Sequence, residues 1–164
     1  MEAAEARSDW PEVERLAKIA VDQLMGRLGE NNANVAEGLE WLGVAVQSQN
    51  RHAEAETNFR KALEIRRVVQ GERHPETAGA YNAVASSLNA QGRYAEAEPL
   101  YRKALEIDRA ALGEQHPGTA TGYGGLALNL DFLGRYAEAE PLHRKALEIR
   151  RTALGEQHPI TATS

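Results

Sequence analysis

The chain of 164 residues is long enough to bury roughly 70% of its unfolded surface, which supports one continuous core without metal or disulfide. It has no cysteine, which excludes disulfides, thiolate nucleophiles and Cys-ligated zinc, and its formal charge of −5 lacks the positive footprint that nucleic acid or an anionic membrane requires. Sparse aromatics beside abundant Ala, Leu, Glu and Arg favour packed helices over strands.

At the N-terminus, Met1 to Arg7 is too polar for a secretory leader, and nowhere does an apolar run approach the ~20 residues of a membrane span. The expected location is therefore cytoplasmic. The first predicted element is a helix over 10–28, with Trp10, Val13, Leu16, Ile19, Ala20, Val21 and Leu24 as its apolar positions. Beyond it the chain repeats. Gly71-Glu72-Arg73-His74-Pro75 recurs as Gly113-Glu114-Gln115-His116-Pro117 and again from Gly155 to Pro159, at a spacing of 42 residues. Residues 71–112 and 113–154 are identical at 27 of 42 positions, and a diverged copy begins at Gly29-Glu30. A fixed period of this length marks a repeat array. The expected organisation is a single array over 1–164: a half-repeat helix at 10–28, repeat 1 at 29–70, repeat 2 at 71–112, repeat 3 at 113–154, and the start of a further repeat at 155–164.

Repeat 2 shows the unit. Gly71 makes the turn and Pro75 opens a helix, whose buried stripe is Tyr81, Val84, Ala85 and Leu88 at i, i+3, i+4 and i+7. Gly92 breaks that pattern, and Tyr94, Ala97, Leu100, Tyr101, Ala104, Leu105 and Ile107 mark a second helix running to about Leu112. Each repeat is thus a helical hairpin. Trp10, Leu16, Ala20 and Val21 align with Tyr94, Leu100, Ala104 and Leu105, so the chain starts on a helix of the second type. Pro99 and Pro141 are expected within roughly the first turn of their helices, where backbone donors lack partners and the proline costs little.

These positions resemble the tetratricopeptide repeat, which places a large apolar residue, Leu and Gly, a second large residue, Ala, an aromatic and a final Pro. The copies here are Leu39, Leu42, Gly43, Val46, Ala55 and Phe59; Tyr81, Val84, Ala85, Leu88, Ala97 and Tyr101; and Tyr123, Leu126, Ala127, Leu130, Ala139 and His143. The final Pro is replaced by Arg67, Arg109 and Arg151, so the second helix runs on by about two turns, which accounts for the longer period. Long repeats with a His-Pro corner are similar to those of kinesin light chains and of many bacterial signalling and scaffold proteins. The resemblance implies an all-α, right-handed solenoid of antiparallel hairpins whose first helices line a concave groove. It also implies a protein or peptide interaction scaffold. Two other readings stay open: a regulatory or sensor segment of a larger bacterial signalling enzyme, and a self-assembling structural array.

Little in the sequence points to catalysis. His74, His116 and His158 occupy equivalent corners, and helices packed about 8 to 10 Å apart keep them from sharing an ion with bonds of about 2 Å. They are expected to open helices. His52 and His143 stand where other copies carry an aromatic, as packing variants. No Ser, His and Asp set, phosphate-cradling Gly loop or paired-carboxylate motif departs from the repeat frame. No enzymatic activity, metal or cofactor is expected. Arg60, Arg102 and Arg144 each follow a glutamate by four residues, which predicts a self-neutralised outer face.

The groove segments 33–50, 75–91 and 117–133 contain no Lys or Arg, which excludes the simplest carboxylate clamp. The candidate peptide-contacting residues are Glu40, Val44 and Gln47 in repeat 1, Asn82, Ser86 and Asn89 in repeat 2, and Gly124, Leu128, Asp131 and Phe132 in repeat 3. Gly124, Leu128 and Phe132 lie one turn apart and resemble an apolar pocket; the alternative is a face covered by a following repeat. The apolar ends of the array, Val13, Leu16 and Ile19 on one side and Leu142, Ala146, Leu147 and Ile149 on the other, are expected to self-associate.

Overall fold

The computed structural model describes residues 9–154. It contains seven helices and, among the described residues, no strand: α1 Trp10–Leu28, α2 Ala33–Gln47, α3 His52–Val69, α4 Pro75–Ala90, α5 Tyr94–Ala111, α6 Pro117–Phe132 and α7 Tyr136–Leu154. Each helix packs on the one before and the one after it, and α4 also touches α2 and α6. That is the contact pattern of a solenoid, with α2, α4 and α6 side by side on one face.

The recurring pentapeptide is a corner in which every residue but one has a visible task. Gly71 and Gly113 sit at φ +90°, a conformation costly for a residue with a side chain. His74 and His116 accept the N–H of Glu76 and Gly118 through Nδ1, at 3.2 and 3.0 Å, capping α4 and α6 ahead of Pro75 and Pro117. Thr77 and Thr119 donate back to the carbonyls of Gly71 and Gly113 at 2.8 and 2.7 Å. Glu72 accepts from Tyr81 and Arg67, both at 2.7 Å, and Glu114 accepts from Tyr123 and Arg109. The third copy of the corner, with His158 and Pro159, and the further repeat expected at 155–164 lie outside the described residues.

Between the two helices of a hairpin the backbones approach closely. A Cβ on Gly43 would meet the Phe59 ring at 2.5 Å, so the glycine is required there. Ala55, Ala85, Ala97 and Ala127 are fully buried, and Ala139 nearly so. Ala97→Leu should therefore overpack the α4–α5 contact and destabilise by about 1 to 3 kcal/mol in urea unfolding. A change below a few tenths would mean that the contact is looser than it looks.

Two expectations need correction. Pro99 and Pro141 are the sixth residues of α5 and α7 rather than first-turn residues, and both helices run through them unbroken. In α5 the carbonyl that loses its amide partner is that of Ala95, an exposed residue, so the lost bond leaves no buried acceptor stranded. His143 does not pack as a buried aromatic: its exposed ring turns to Asp131, with Nε2 2.8 Å from Oδ2.

Candidate functional site

The concave face forms two adjoining depressions that share Ser86. The first, about 400 Å³, lies between α2 and α4, with Glu40, Val44 and Gln47 facing Glu76, Gly79, Ala83 and Ser86 over Phe59. The second, about 470 Å³, lies between α4 and α6. Asn82 and Ser86 face Thr121, Gly124, Gly125 and Leu128 across it, and Tyr101, His143, Ala146 and Arg150 come up from α5 and α7. Tyr101 stays close because position 125 is glycine: a Cβ there would lie 2.8 Å from its ring. Val44 is 39% and Leu128 48% exposed, so each depression holds one solvent-facing aliphatic group beside amides and hydroxyls. Rigid concave sites of this composition suit an extended peptide.

The structure brings seven of the ten expected groove residues to these depressions and takes three elsewhere. Asn89 accepts from Asn129 Nδ2 at 2.8 Å, and the same amide donates to the Tyr94 carbonyl at 2.9 Å, so Asn89 serves the α4–α6 junction. Asp131 is engaged by His143. Phe132 stacks on Tyr94, with ring centroids 4.7 Å apart and planes 10° from parallel. The trio of Gly124, Leu128 and Phe132 is thus divided, and the space beside Gly124 is used by Arg150, whose Nη2 would lie 3.2 Å from an added Cβ.

Sequence reasoning also missed groups that reach this face from the second helices. Arg66, only 5% exposed, donates to both oxygens of Glu40, at 3.1 and 2.9 Å, and lies 3.3 Å from Glu76. Its hydrogen bonds to Glu40 outweigh burial and hold the guanidinium charged. Beside this pair stand Glu37, Trp41 and Val44. The signal was present: position 66 reads Arg, Asp108 and Arg150 in successive copies, a break inside an otherwise repeated run of Arg, Lys, Ala, Leu, Glu and Ile.

The outer face behaves differently. Arg60 pairs with Glu56 at 2.8 Å, Arg102 with Glu98 at 2.8 Å and Arg144 with Glu140 at 2.5 Å. A second set joins neighbouring repeats: Arg51 reaches Glu14, Arg93 reaches Glu56 and Arg135 reaches Glu98, at 2.6, 2.7 and 2.7 Å. Burial alone would raise Glu56, but hydrogen bonds from Gln91 and Arg60 and the charges of Arg60 and Arg93 hold it below the usual carboxylate range. Among the described residues, no three His, Asp or Glu side chains are placed to hold a metal ion, and no helix is long and apolar enough to cross a membrane.

Comparison with known proteins agrees with this architecture. Residues 34–86 and 76–152 match the family model described as tetratricopeptide repeat. No curated protein matches the sequence. Among solved structures, BtubC (BKLC) of P. vanneervenii superposes with a TM-score of 0.78 at 23% identity, covering 95% of this chain and 63% of its own. The present chain thus spans less than two thirds of that protein. The nearly identical TPR-like repeats of a Podosopora anserina kinesin light chain candidate give 0.78 at 21% identity, covering 94% and 73%. The TPR domain of Arabidopsis FLU gives 0.63 at 23% identity, covering 71% and 95%. At these identities the likeness is one of fold.

Proposed function

This chain belongs to the tetratricopeptide repeat family, and we propose that it is an interaction scaffold whose concave face docks an extended peptide or protein segment. The observation that carries the reading is the α4–α6 depression, where Leu128 stands half exposed between Asn82, Ser86 and Thr121. The charges of the outer face support it by contrast, since Arg60, Arg102 and Arg144 are already engaged with Glu56, Glu98 and Glu140, and surface pairs of this kind contribute little to affinity. No cofactor enters the reading, because binding needs none.

The test is a peptide library selected against the whole chain. Peptides that dock in the groove should lose at least tenfold affinity for Leu128→Arg and keep it for the pair Arg102→Ala and Lys103→Ala, since a desolvated anchor dominates affinity. Peptides that respond only to the basic pair would move the site to the outer face.

A second reading, contact between copies, is favoured by α1, whose outward Val13, Leu16 and Ile19 are all exposed. At the other end Ala146 and Ile149 are buried and Leu142 and Leu147 half-buried, so α1 carries the larger apolar stripe. Light scattering across a dilution series should show concentration-dependent mass that Leu16→Glu removes. A strictly monomeric chain at high micromolar concentration would end that reading.

A further inference from the structure

The aromatic ring of the concave face changes place once along the array. Phe59 and Tyr101 rise from second helices, are buried, and meet small residues of the first helices: Ala83 lines the α2–α4 depression with Phe59, and Gly125 leaves room for Tyr101. One period earlier the sizes are exchanged. The second-helix position is Ala17, and the first-helix position is Trp41. Trp41 is 61% exposed, against 2% for Phe59 and 6% for Tyr101.

Trp41 walls a recess of about 460 Å³ with Glu37, Glu40, Val44, Arg66 and Glu76. The recess opens off the α2–α4 depression, with which it shares Glu40, Val44 and Glu76. A ring left in water forgoes the burial that makes it stabilising, so the fold gains little from it here. A first helix docked on α2 as α2 docks on α4 would meet this tryptophan where the array itself places Ala83 and Gly125. The charge around the ring selects its occupant. Arg66 is buried and already engaged by Glu40 and Glu76, so a single guanidinium faces three carboxylates. Glu37 makes no hydrogen bond or ion pair among the described residues, and both it and Glu76 are exposed. The first helices α2, α4 and α6 bring no Lys or Arg to offset this excess of negative charge. An exposed indole attracts a cation over its face, and the carboxylates beside it repel an anion.

We propose that Glu37, Trp41 and Val44, each one turn from the next on α2, form a subsite for a basic residue of the docked peptide. An arginine or lysine lies on the indole with its charge toward Glu37 and Glu76, and an adjacent apolar residue meets Val44. This rests on the groove reading above and gives the partner a stated chemistry at the α2 end: a cationic side chain beside an aliphatic one. Trp41 was not among the groove residues expected from the sequence, because its counterparts Ala83 and Gly125 offer a ligand almost nothing.

The probes are octapeptides selected against the full chain from a fully randomised library, each resynthesised with citrulline, the neutral isostere of arginine, in place of its basic residue. Arginine or lysine should be enriched at one position, and citrulline there should weaken binding about fivefold. Trp41→Ala with Glu37→Gln should bring the two forms to within about twofold of each other, while Trp41→Phe, which keeps a ring, should retain part of the preference. Both side chains are exposed, so the melting temperature should not move and folding stays out of the readout. Selected peptides without a basic residue, equal binding of the arginine and citrulline forms, or a preference untouched by the Trp41 and Glu37 changes would overturn the proposal. If such peptides still lose affinity for Leu128→Arg, the groove reading stands without this subsite; if they ignore Leu128 as well, or if no peptide is selected, both fall. Trp41→Ala that removes concentration-dependent mass and leaves peptide binding unchanged would make the ring a contact between copies, and would overturn the proposal too.

Discussion

Leu88→Ala is expected to destabilise the chain by about 3 kcal/mol, within the 2 to 5 kcal/mol usual for a fully buried leucine. Leu88 is completely buried in α4, inside the cluster that also holds Leu63, Tyr101 and Ala97 from the helices on either side. Truncation leaves a cavity that packed backbones cannot collapse into, because Ala85 and Ala97 already set the helices at close contact. In an array each repeat is stabilised mainly by its neighbours, so the loss weakens α3–α4 and α4–α5 together. Urea unfolding should show a lower midpoint. A loss under 1 kcal/mol would mean that α4 is not the centre of a shared core.

The second large effect is expected at Arg66. Arg66→Ala removes the cation between Glu40 and Glu76 and leaves two carboxylates facing each other on the groove floor. Breaking a fully buried pair costs about 3 to 5 kcal/mol, and the partial exposure of both glutamates brings the expectation to about 2 kcal/mol. The double change Arg66→Met with Glu40→Gln should recover much of it, because no charge is then stranded. If the single and double variants were equally destabilised, the cost would lie in packing of the arginine stem and not in the ion pair.

The elements were legible because corner chemistry repeats in the sequence. Gly, His and Pro at fixed spacing are a turn, an N-cap and a first-turn residue wherever they occur, and the structure uses them so at 71–75 and 113–117. Arg67 and Arg109 stand where a proline would stop the second helices, and α3 and α5 run past both, but only by two residues, to Val69 and Ala111, and not by the two turns expected. Legibility ended where one spacing permits two directions. Phe132 is one turn beyond Leu128, yet at the last position of α6 it leans on Tyr94 instead of facing the depression. Asn89 looks like groove equipment by register, but an asparagine at 129 draws it into the helix junction. The reach of Arg66 was hidden for a different reason: it belongs to a second helix, and only the length of its side chain brings it to the concave face.

The central claim is that this concave face, and not the outer one, holds the ligand. The most direct measurement is a crystal structure of the chain with a selected peptide. It should show the peptide running from Val44 past Ser86 to Leu128, with an apolar side chain against Leu128 and the Arg60, Arg102 and Arg144 pairs undisturbed. A peptide seated on the outer helices α3, α5 and α7, or along the stripe of Val13, Leu16 and Ile19, with the α4–α6 depression empty, would contradict it.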